Sequence, residues 1–534
     1  MNEYRASRWF STSLIFVLFY AALLVLHIQV LHLPYFWDEA GYYIPAARDL
    51  LLTGSLIPHS TVSNAHPPLV MAYLALAWKL AGFTPLVTRS AILFISAFTL
   101  LGVFRLAQRV ANTEVAMASV LCTGTYPVFF AQSSLAHLDL AAAAFTIWGL
   151  LSYVEDRSWT TAVWFSLAVL TKETAIIAPV ALLAFQVIKT ADSSHILASR
   201  LRTARNDNTA NFANDHRITY ALLFPLLPLA IWYSYHWYRT GFIFGNPEFF
   251  RYNVQATLNP LRIVLALGLR LWQLLGYLGM YLLTVSTIAA MWLPAISDGN
   301  KERKRIAIDV QLSFLAVIVA YVLVLAFIGG AVLARYLLPV IPLVIIICVS
   351  TLRRRVRYWP VVVAIVAAAF VVGWFVNPPY GFSLEDNLAY RDYIEQHEHA
   401  ENFIQTHYPT SRVLTAWPAS DELNRPVLGY VTHPMHVFRI EDFTAEQLMG
   451  AAEVHENFDV ALVFSTKYEP PRRWFKPWKT WERWNTQFFG YHRDVPPEAA
   501  AQILRGDLVY SERRRGQWIG VIEMQQWQEA RGSR

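Results

Sequence analysis

Eleven stretches of this chain run without a formal charge, at about 11–31, 90–104, 115–136, 140–154, 158–171, 174–188, 218–235, 271–297, 310–334, 336–352 and 358–384. A helix needs about 17–25 apolar residues to cross a hydrocarbon layer, and within lipid it satisfies its own backbone hydrogen bonds. Runs shorter than that must continue past a flanking charge, which makes those charges informative. The composition agrees. Charged residues make up 15% of the chain, against about a quarter in a soluble domain, and 55% of residues are hydrophobic. The 19 Trp and 26 Tyr suit rings that sit at membrane–water interfaces. The expected fold class is a polytopic α-helical membrane protein of about eleven transmembrane helices, with thirteen as a rough upper count.

Basic residues gather at Arg5/Arg8, Arg105/Arg109, Lys189 with Arg200, Arg202, Arg205 and Arg217, Lys301/Arg303/Lys304/Arg305, and Arg353/Arg354/Arg355/Arg357. Placing these clusters in the cytoplasm gives one consistent threading. The N-terminus is then cytoplasmic, and a helix near 67–82 lies along the interface. Residues 32–89, the turn near 133–140, the segment near 171–174, residues 237–262 and the turn before Arg335 all face the other side. The net charge of +6 lies in these short clusters, so no nucleic-acid partner is implied. The first apolar run is about twenty residues long and lacks a small-residue cleavage site, so it reads as a retained helix. Cys122 and Cys348 both fall inside apolar runs, which excludes a disulfide framework.

The composition changes near residue 380, dividing a membrane domain (1–380) from an exported domain (381–534). "EDNLAYRDYIEQHEHAENFIQTHY" reads as a helix with a polar face, and "SRVLTAW" and "FDVALVF" as short buried strands. A C-terminal extracytoplasmic α/β domain is expected. Its "RRWFKPWKTWERW" either rests on the membrane or forms a solvated basic–aromatic helix.

The sharpest local signal is Asp38-Glu39 in "LPYFWDEAGYY", just past the first apolar run. Carboxylates at a membrane boundary are costly and point to function; equally, acidic residues in a first helical turn oppose the helix dipole. Trp37, Tyr42 and Tyr43 would surround them with a partly desolvated pocket, which raises carboxylate basicity. Asp139, with His137 two residues earlier, opens another helix on the same side. Lys172 interrupts a long apolar stretch, where it either snorkels, pairs with Glu173 or meets a lipid anion. Arg335, with Tyr336 beside it, follows two glycines at a helix start, and Arg251 lies in the loop between two spans. No group of residues has diagnostic metal-ligand spacing, so no metal or other cofactor is expected to be required.

Carboxylates suit deprotonating a nucleophile, while Lys and Arg suit a phosphate. Transfer from a lipid phosphate uses both. Once its charge is neutralised the phosphate leaves without a protonating acid, whereas an acceptor hydroxyl needs a base.

In order, "WDEAGYY", "GSLIPHS", "AHPPL", "AHLDL", "LTKETA", "NPEFFRY" and "ARYLLPVIP" resemble the GT-C superfamily of integral-membrane glycosyltransferases. The likeness runs over about residues 10–350 and lies nearest to relatives of protein O-mannosyltransferases and of aminoarabinose transferases acting on lipid A. The resemblance implies an extracytoplasmic site, a polyprenyl-phosphate sugar donor, inversion at the anomeric carbon and a bacterial inner-membrane location. By likeness Asp38 is the general base with Glu39 in support, and Asp139 matches a further acidic position. Lys172, Arg251 and Arg335 fall where relatives keep cations near the lipid phosphate. One departure stands out. Aminoarabinose transferases read Glu-Lys-Pro-Pro where this chain has Ala65-His66-Pro67-Pro68, which replaces a carboxylate and a fixed cation with one imidazole. His66 would then meet the phosphate as a donor, or hold a structural hydrogen bond. The acceptor is a protein, lipid or glycan. A transporter or flippase of a lipid-linked sugar is the alternative, expected to show repeated halves and polar groups at midplane. A non-catalytic scaffold whose exported domain binds a partner is the third.

Overall fold

Several helices begin where the sequence supplies a cap. Thr84 accepts a hydrogen bond from Val87 N at 3.3 Å and Pro85 follows it; Asn112 accepts from Val115 N at 2.9 Å, and Asn259 from Leu261 N at 2.9 Å. Each satisfies an amide that the first helical turn leaves unpaired. The computed structural model describes residues 2–200, 209–245, 257–298, 301–470 and 479–525.

The membrane part is helical. In order come α1 (Asn2–Leu26), α2 (Ile44–Thr53), α3 (Leu69–Ala81), α4 (Pro85–Val110), α5 (Thr113–Thr125), α6 (Pro127–Gln132), α7 (Leu138–Val154) and α8 (Ser158–Thr171). They continue as α9 (Ile177–Arg200), α10 (Thr209–Leu223), α11 (Leu226–Thr240), α12 (Pro260–Leu275), α13 (Met280–Met291), a two-residue hairpin of β1 (Ser297–Asp298) and β2 (Lys301–Glu302), α14 (Ile308–Phe327), α15 (Ile341–Arg355) and α16 (Trp359–Phe375). Among the described residues, four helical stretches are long and apolar enough to cross a membrane: Pro85–Val110, His216–Thr240, Pro260–Met291 and Ile308–Phe327. Thr12–Leu26, Leu69–Ala81, Leu138–Val154, Ser158–Thr171 and Trp359–Phe375 are shorter apolar helices. This is an integral membrane protein.

Two of the charge-free runs map differently from their reading in sequence. The run 115–136 is broken at Tyr126, because Pro127 cannot continue the hydrogen-bond ladder of α5. The run starting at 271 belongs to a helix that begins at Pro260 and kinks where Leu278 takes φ +47° and Gly279 φ +90°. That helix therefore carries Arg262 and Arg270 inside it. The packing of α7 against α8 and α4 rests on missing side chains: a Cβ at Gly149 would lie 2.8 Å from the Phe165 ring, and one at Gly102 2.9 Å from Trp148 Nε1.

The C-terminal part is an α/β domain. Helices α17 (Ala389–His407), α18 (Ala419–Asn424), α19 (Ala445–Glu453), α20 (Lys479–Phe489) and α21 (Pro497–Leu504) accompany β3 (Arg412–Ala416), β4 (His436–Ile440), β5 (Val460–Phe464), β6 (Gly506–Arg514) and β7 (Gln517–Met524). The sheet order is β4-β3-β5-β7-β6. β3 runs parallel to β4 and β5, and β7 runs antiparallel to β5 and β6. The two expected strands are β3 and the fully buried β5.

This domain is bonded directly to the membrane part. Gln132 Nε2 donates to the Glu385 carbonyl at 3.0 Å, the Ser134 and Tyr390 hydroxyls meet at 2.8 Å, and Tyr430 donates to the Tyr35 carbonyl at 3.1 Å. Tyr277 donates to Asp386 Oδ2 at 2.6 Å. Burial pushes Asp386 from 3.8 up to about 7, against that hydrogen bond.

The loop before α2 is anchored by a second buried contact. Glu39 and Arg89 are both fully buried and 2.5 Å apart. Glu39 also accepts from Phe36 N at 2.9 Å and Ala136 N at 2.5 Å, while Arg89 donates to the carbonyls of Pro34 and Ser134 at 2.8 Å each. One ion pair thus ties together the loop around 34–39, helix α4 and the 133–137 turn.

Two predictions follow from these anchors. Removing one partner of a buried pair strands the other charge, so Arg89→Met should lower unfolding stability by about 3–5 kcal/mol. Adding Glu39→Gln to it should recover part of the loss in thermal unfolding of the micelle-solubilised protein. Asp386 titrates higher folded than unfolded, so its stabilising contribution is full below about pH 3.8 and lost as pH rises through about 7. Melting temperature should fall over that window, and Asp386→Asn should flatten the fall.

Candidate active site

Trp37 aims the site. Its backbone sits at φ +47°, in the left-handed region that costs a bulky residue strain. Its ring is held 5.2 Å from Trp417 and 5.7 Å from Tyr393 of the C-terminal domain. Held this way, it sets the direction of Asp38. Residues Glu39–Tyr43 then wind as a single π-helical turn into α2, a local geometry that recurs at functional sites.

Asp38 pairs with the Arg335 guanidinium. Arg335 is only 2% exposed in the turn Ala334–Leu337, and its other nitrogens meet two more carboxylates: Nη1 lies 2.6 Å from Glu385 Oε2 and Nε 3.4 Å from Asp139 Oδ2. Lys172 Nζ donates to Asp139 Oδ1 at 2.6 Å and lies 4.0 Å above the centre of the Tyr336 ring. Three carboxylates thus share two cations. Burial pushes the Glu385 carboxyl up, and Arg335 pulls it back. The Asp38 side chain is 20% exposed, whereas those of Asp139 and Glu385 are 4% exposed. Asp38 is the carboxylate of the three that a solute can reach.

His137 lies beside the guanidinium, with Arg335 Nη1 at 2.8 Å from Nδ1 and 3.1 Å from Nε2, and its Nδ1 is 2.8 Å from Gln132 Oε1. Burial, then the Arg335 charge, hold this imidazole well below the usual histidine range, so it is neutral. Tyr43 packs 6.0 Å from His137 on one side and 6.2 Å from His66 on the other. His66 Nδ1 meets Glu173 Oε2 at 2.8 Å, beside a small cavity lined by His66, Ser63, Met71 and Trp232.

Most residues singled out in the sequence therefore converge. Asp38, Asp139, His137, Lys172, Arg335 and Tyr336 meet in one cluster, with Tyr43 at its edge. Four placements differ from the reading above. Glu39 turns away from Asp38 into the Arg89 pair. Lys172 pairs with Asp139 rather than its neighbour Glu173, because the extended Lys172 backbone (φ −151°, ψ 130°) between α8 and the next turn throws the two side chains apart. Glu173 instead takes His66, and Tyr42 packs on Trp417 at 6.0 Å. Arg251 lies outside the described residues.

Three contributors escaped the sequence reading. Glu385 belongs to a segment assigned wholly to the exported domain, yet it inserts into the cluster. Arg262 and Arg270 lie on α12 and are buried. Arg270 donates to Gln273 Oε1 at 2.9 Å and to the Leu333 carbonyl at 2.7 Å, and Arg262 to the Gly329 carbonyl at 2.5 Å. Among the described residues neither has an acidic partner. The Arg270 guanidinium lies 5.5 Å from the Tyr336 ring, which also lies under Lys172 and 5.6 Å from Arg335. Their signal was available: two arginines eight positions apart share one helix face within an apolar run.

Comparison with known proteins bears on this arrangement. Residues 65–203 match the family of dolichyl-phosphate-mannose-protein mannosyltransferases. No curated protein matches the sequence. Among solved structures, ArnT from Cupriavidus metallidurans bound to undecaprenyl phosphate is similar at 14% identity and a TM-score of 0.56, over 95% of this chain and 97% of that one. The same protein in its apo state is similar at 15% identity and a TM-score of 0.50, over 97% and 98% of the two chains. At such identities the likeness is one of fold, and it includes the C-terminal domain that delivers Glu385. The chain thus resembles ArnT in fold along nearly its whole length and the dolichyl-phosphate-mannose-protein mannosyltransferase family in sequence over residues 65–203.

Proposed function

We propose that this chain is a glycosyltransferase that moves a sugar from a polyprenyl-phosphate carrier to an acceptor hydroxyl at the extracytoplasmic face of a bacterial inner membrane. The observation that carries the reading is the cluster itself: one reachable carboxylate, Asp38, beside three cations, Arg335, Lys172 and Arg270, gathered around the Tyr336 ring. Undecaprenyl phosphate in the similar ArnT structure supports a lipid-phosphate donor.

In this reading Asp38 accepts the proton of the acceptor hydroxyl as its oxygen attacks the anomeric carbon. The bond from that carbon to the phosphate oxygen breaks, and its electron pair leaves on the polyprenyl phosphate. Attack opposite the leaving group inverts the anomeric centre. Lys172, Arg335 and Arg270, gathered around Tyr336, neutralise the phosphate in a water-poor setting where charge stabilisation is strong. Because Arg335 holds Asp38, a phosphate drawing on Arg335 would loosen its grip and leave Asp38 more basic. Donor binding and base activation would then be one event. The acceptor, whether protein, lipid or glycan, would approach from the exposed side of Asp38. No metal is required for these steps.

A transporter would place its polar groups at broken helices near the midplane. Here four of the charged residues stand at helix ends: Asp38 ahead of α2, Asp139 in the first turn of α7, Lys172 just after α8 and Arg335 ahead of α15. That arrangement favours chemistry at one rim.

The test is transfer of radiolabel from a panel of polyprenyl-phosphate sugars to a membrane extract, with the protein in lipid nanodiscs. Asp38→Asn should cut the transfer rate by about 10²–10⁴-fold while donor still binds. Undiminished transfer would remove Asp38 as the base. Arg270→Gln takes away a charge-assisted hydrogen bond of about 1.5–3 kcal/mol. Donor affinity should accordingly weaken by about 10–100-fold in a direct binding assay on folded variant protein. Arg335→Ala is a poorer probe of the phosphate, since it would strand Asp38 and Glu385 at once.

A further inference from the structure

Away from the catalytic cluster, a second group of buried charged side chains has no part in the proposed reaction. Helix α17 carries His397 and Glu401 one turn apart on the same face, and the short helix α18 carries Glu422. His397 Nδ1 lies 2.7 Å from Glu422 Oε2 and 3.7 Å from Glu401 Oε1. One ligand-type atom from each residue lies within 4.8 Å of the others. His397 is 1% exposed, and Glu401 and Glu422 are fully buried.

The trio is undersatisfied. Among the described residues, His397 Nε2, both oxygens of Glu401 and Glu422 Oε1 lack a hydrogen-bond donor or acceptor of their own. The group facing Glu401 is the Glu422 carboxylate, itself an acceptor, and among the described residues no Lys or Arg pairs with either. A buried carboxylate is retained when it is paired or coordinates a metal. At best an imidazolium would neutralise one of these two.

We infer that His397, Glu401 and Glu422 form a binding site for a divalent transition-metal ion of the Zn²⁺ class. One imidazole nitrogen and two carboxylate oxygens are a ligand set that such ions accept. The ion's two charges cancel the two carboxylates, and its coordination sphere takes up the orphaned lone pairs. Ligand atoms at about 2.0–2.1 Å from a tetrahedral ion stand about 3.4 Å apart, and the separations of 2.7 and 3.7 Å fall either side of that value. Tyr393, whose buried hydroxyl also lacks a partner among the described residues, is within electrostatic reach of both carboxylates.

The ion would join the two elements that hold Trp37. Tyr393, one turn before His397, stacks on its ring at 3.9 Å and packs 5.7 Å from Trp37. Trp417, just ahead of α18, packs 5.2 Å from Trp37 on its other side. Crosslinking α17 to α18 therefore stiffens the slot that sets the residue before Asp38. The site is a structural one, set behind the catalytic loop.

The experiment uses the full chain in nanodiscs, loaded with Zn²⁺ alone, dialysed, and measured for zinc per chain by mass spectrometry. The expected result is one zinc per wild-type chain, with essentially none in Glu401→Gln and Glu422→Gln, and a wild-type melting temperature that falls on chelation and recovers on adding Zn²⁺. Should the variants fail to fold, X-ray absorption at the zinc edge of the wild type decides: a shell of one imidazole with carboxylate oxygens supports the site, and any shell without imidazole overturns it. Wild-type protein that takes up no zinc would also overturn it, leaving two carboxyls that share a proton. Equal zinc in wild type and folded variants would place the ion elsewhere and overturn it too.

Discussion

A guanidinium held under three carboxylates organises this molecule. Arg335 is nearly inaccessible, and it draws Asp38, Asp139 and Glu385 to one point from the first loop, the α7 start and the C-terminal domain. Burying that many ionised groups is tolerable only if every charge finds a partner, so the positions of three separate elements become mutually dependent. The Arg89–Glu39 pair does the same for the loop that carries Asp38. Helix packing builds the bundle, and these buried pairs set where its loops lie.

The C-terminal domain is consequently a component of the site. It supplies Glu385, clamps Trp37 between Tyr393 and Trp417, and hydrogen-bonds to the first loop through Tyr430. The boundary drawn from composition near residue 380 falls where apolar helix gives way to mixed sheet and helix. It separates what the charges join.

The distribution of cations follows the same logic. Lys172 and Arg335 answer carboxylates, while Arg262 and Arg270 answer backbone carbonyls of the loop ahead of Arg335. A guanidinium that hydrogen-bonds only to carbonyls keeps its full charge for an incoming anion. The rings of Tyr336 and Tyr43 fill the gaps between charged groups, and they keep water out without adding charge.

Much was legible before any coordinates. Hydropathy alone gives a helical membrane protein, because a run of apolar residues in lipid has a single economical backbone solution. Charges that interrupt such runs are rare, so Asp38, Asp139, Lys172 and Arg335 stood out from local context, and "FDVALVF" declared a buried strand. Pairing was not legible. Asp38 and Arg335 are 297 positions apart, and which cation answers which carboxylate depends on backbone direction at each helix end. Lys172 thus prefers a residue 33 positions away to its own neighbour. Glu39 looked like half of a functional pair because adjacent residues share a sequence position, yet successive side chains on a helical turn point to different sides. Glu385, Arg270 and the His397, Glu401 and Glu422 trio carry ordinary local signals and acquire meaning only through proximity. Solvation determined what kind of chain this is; the need to neutralise buried charge, which only the tertiary structure resolves, decided where its chemistry lies.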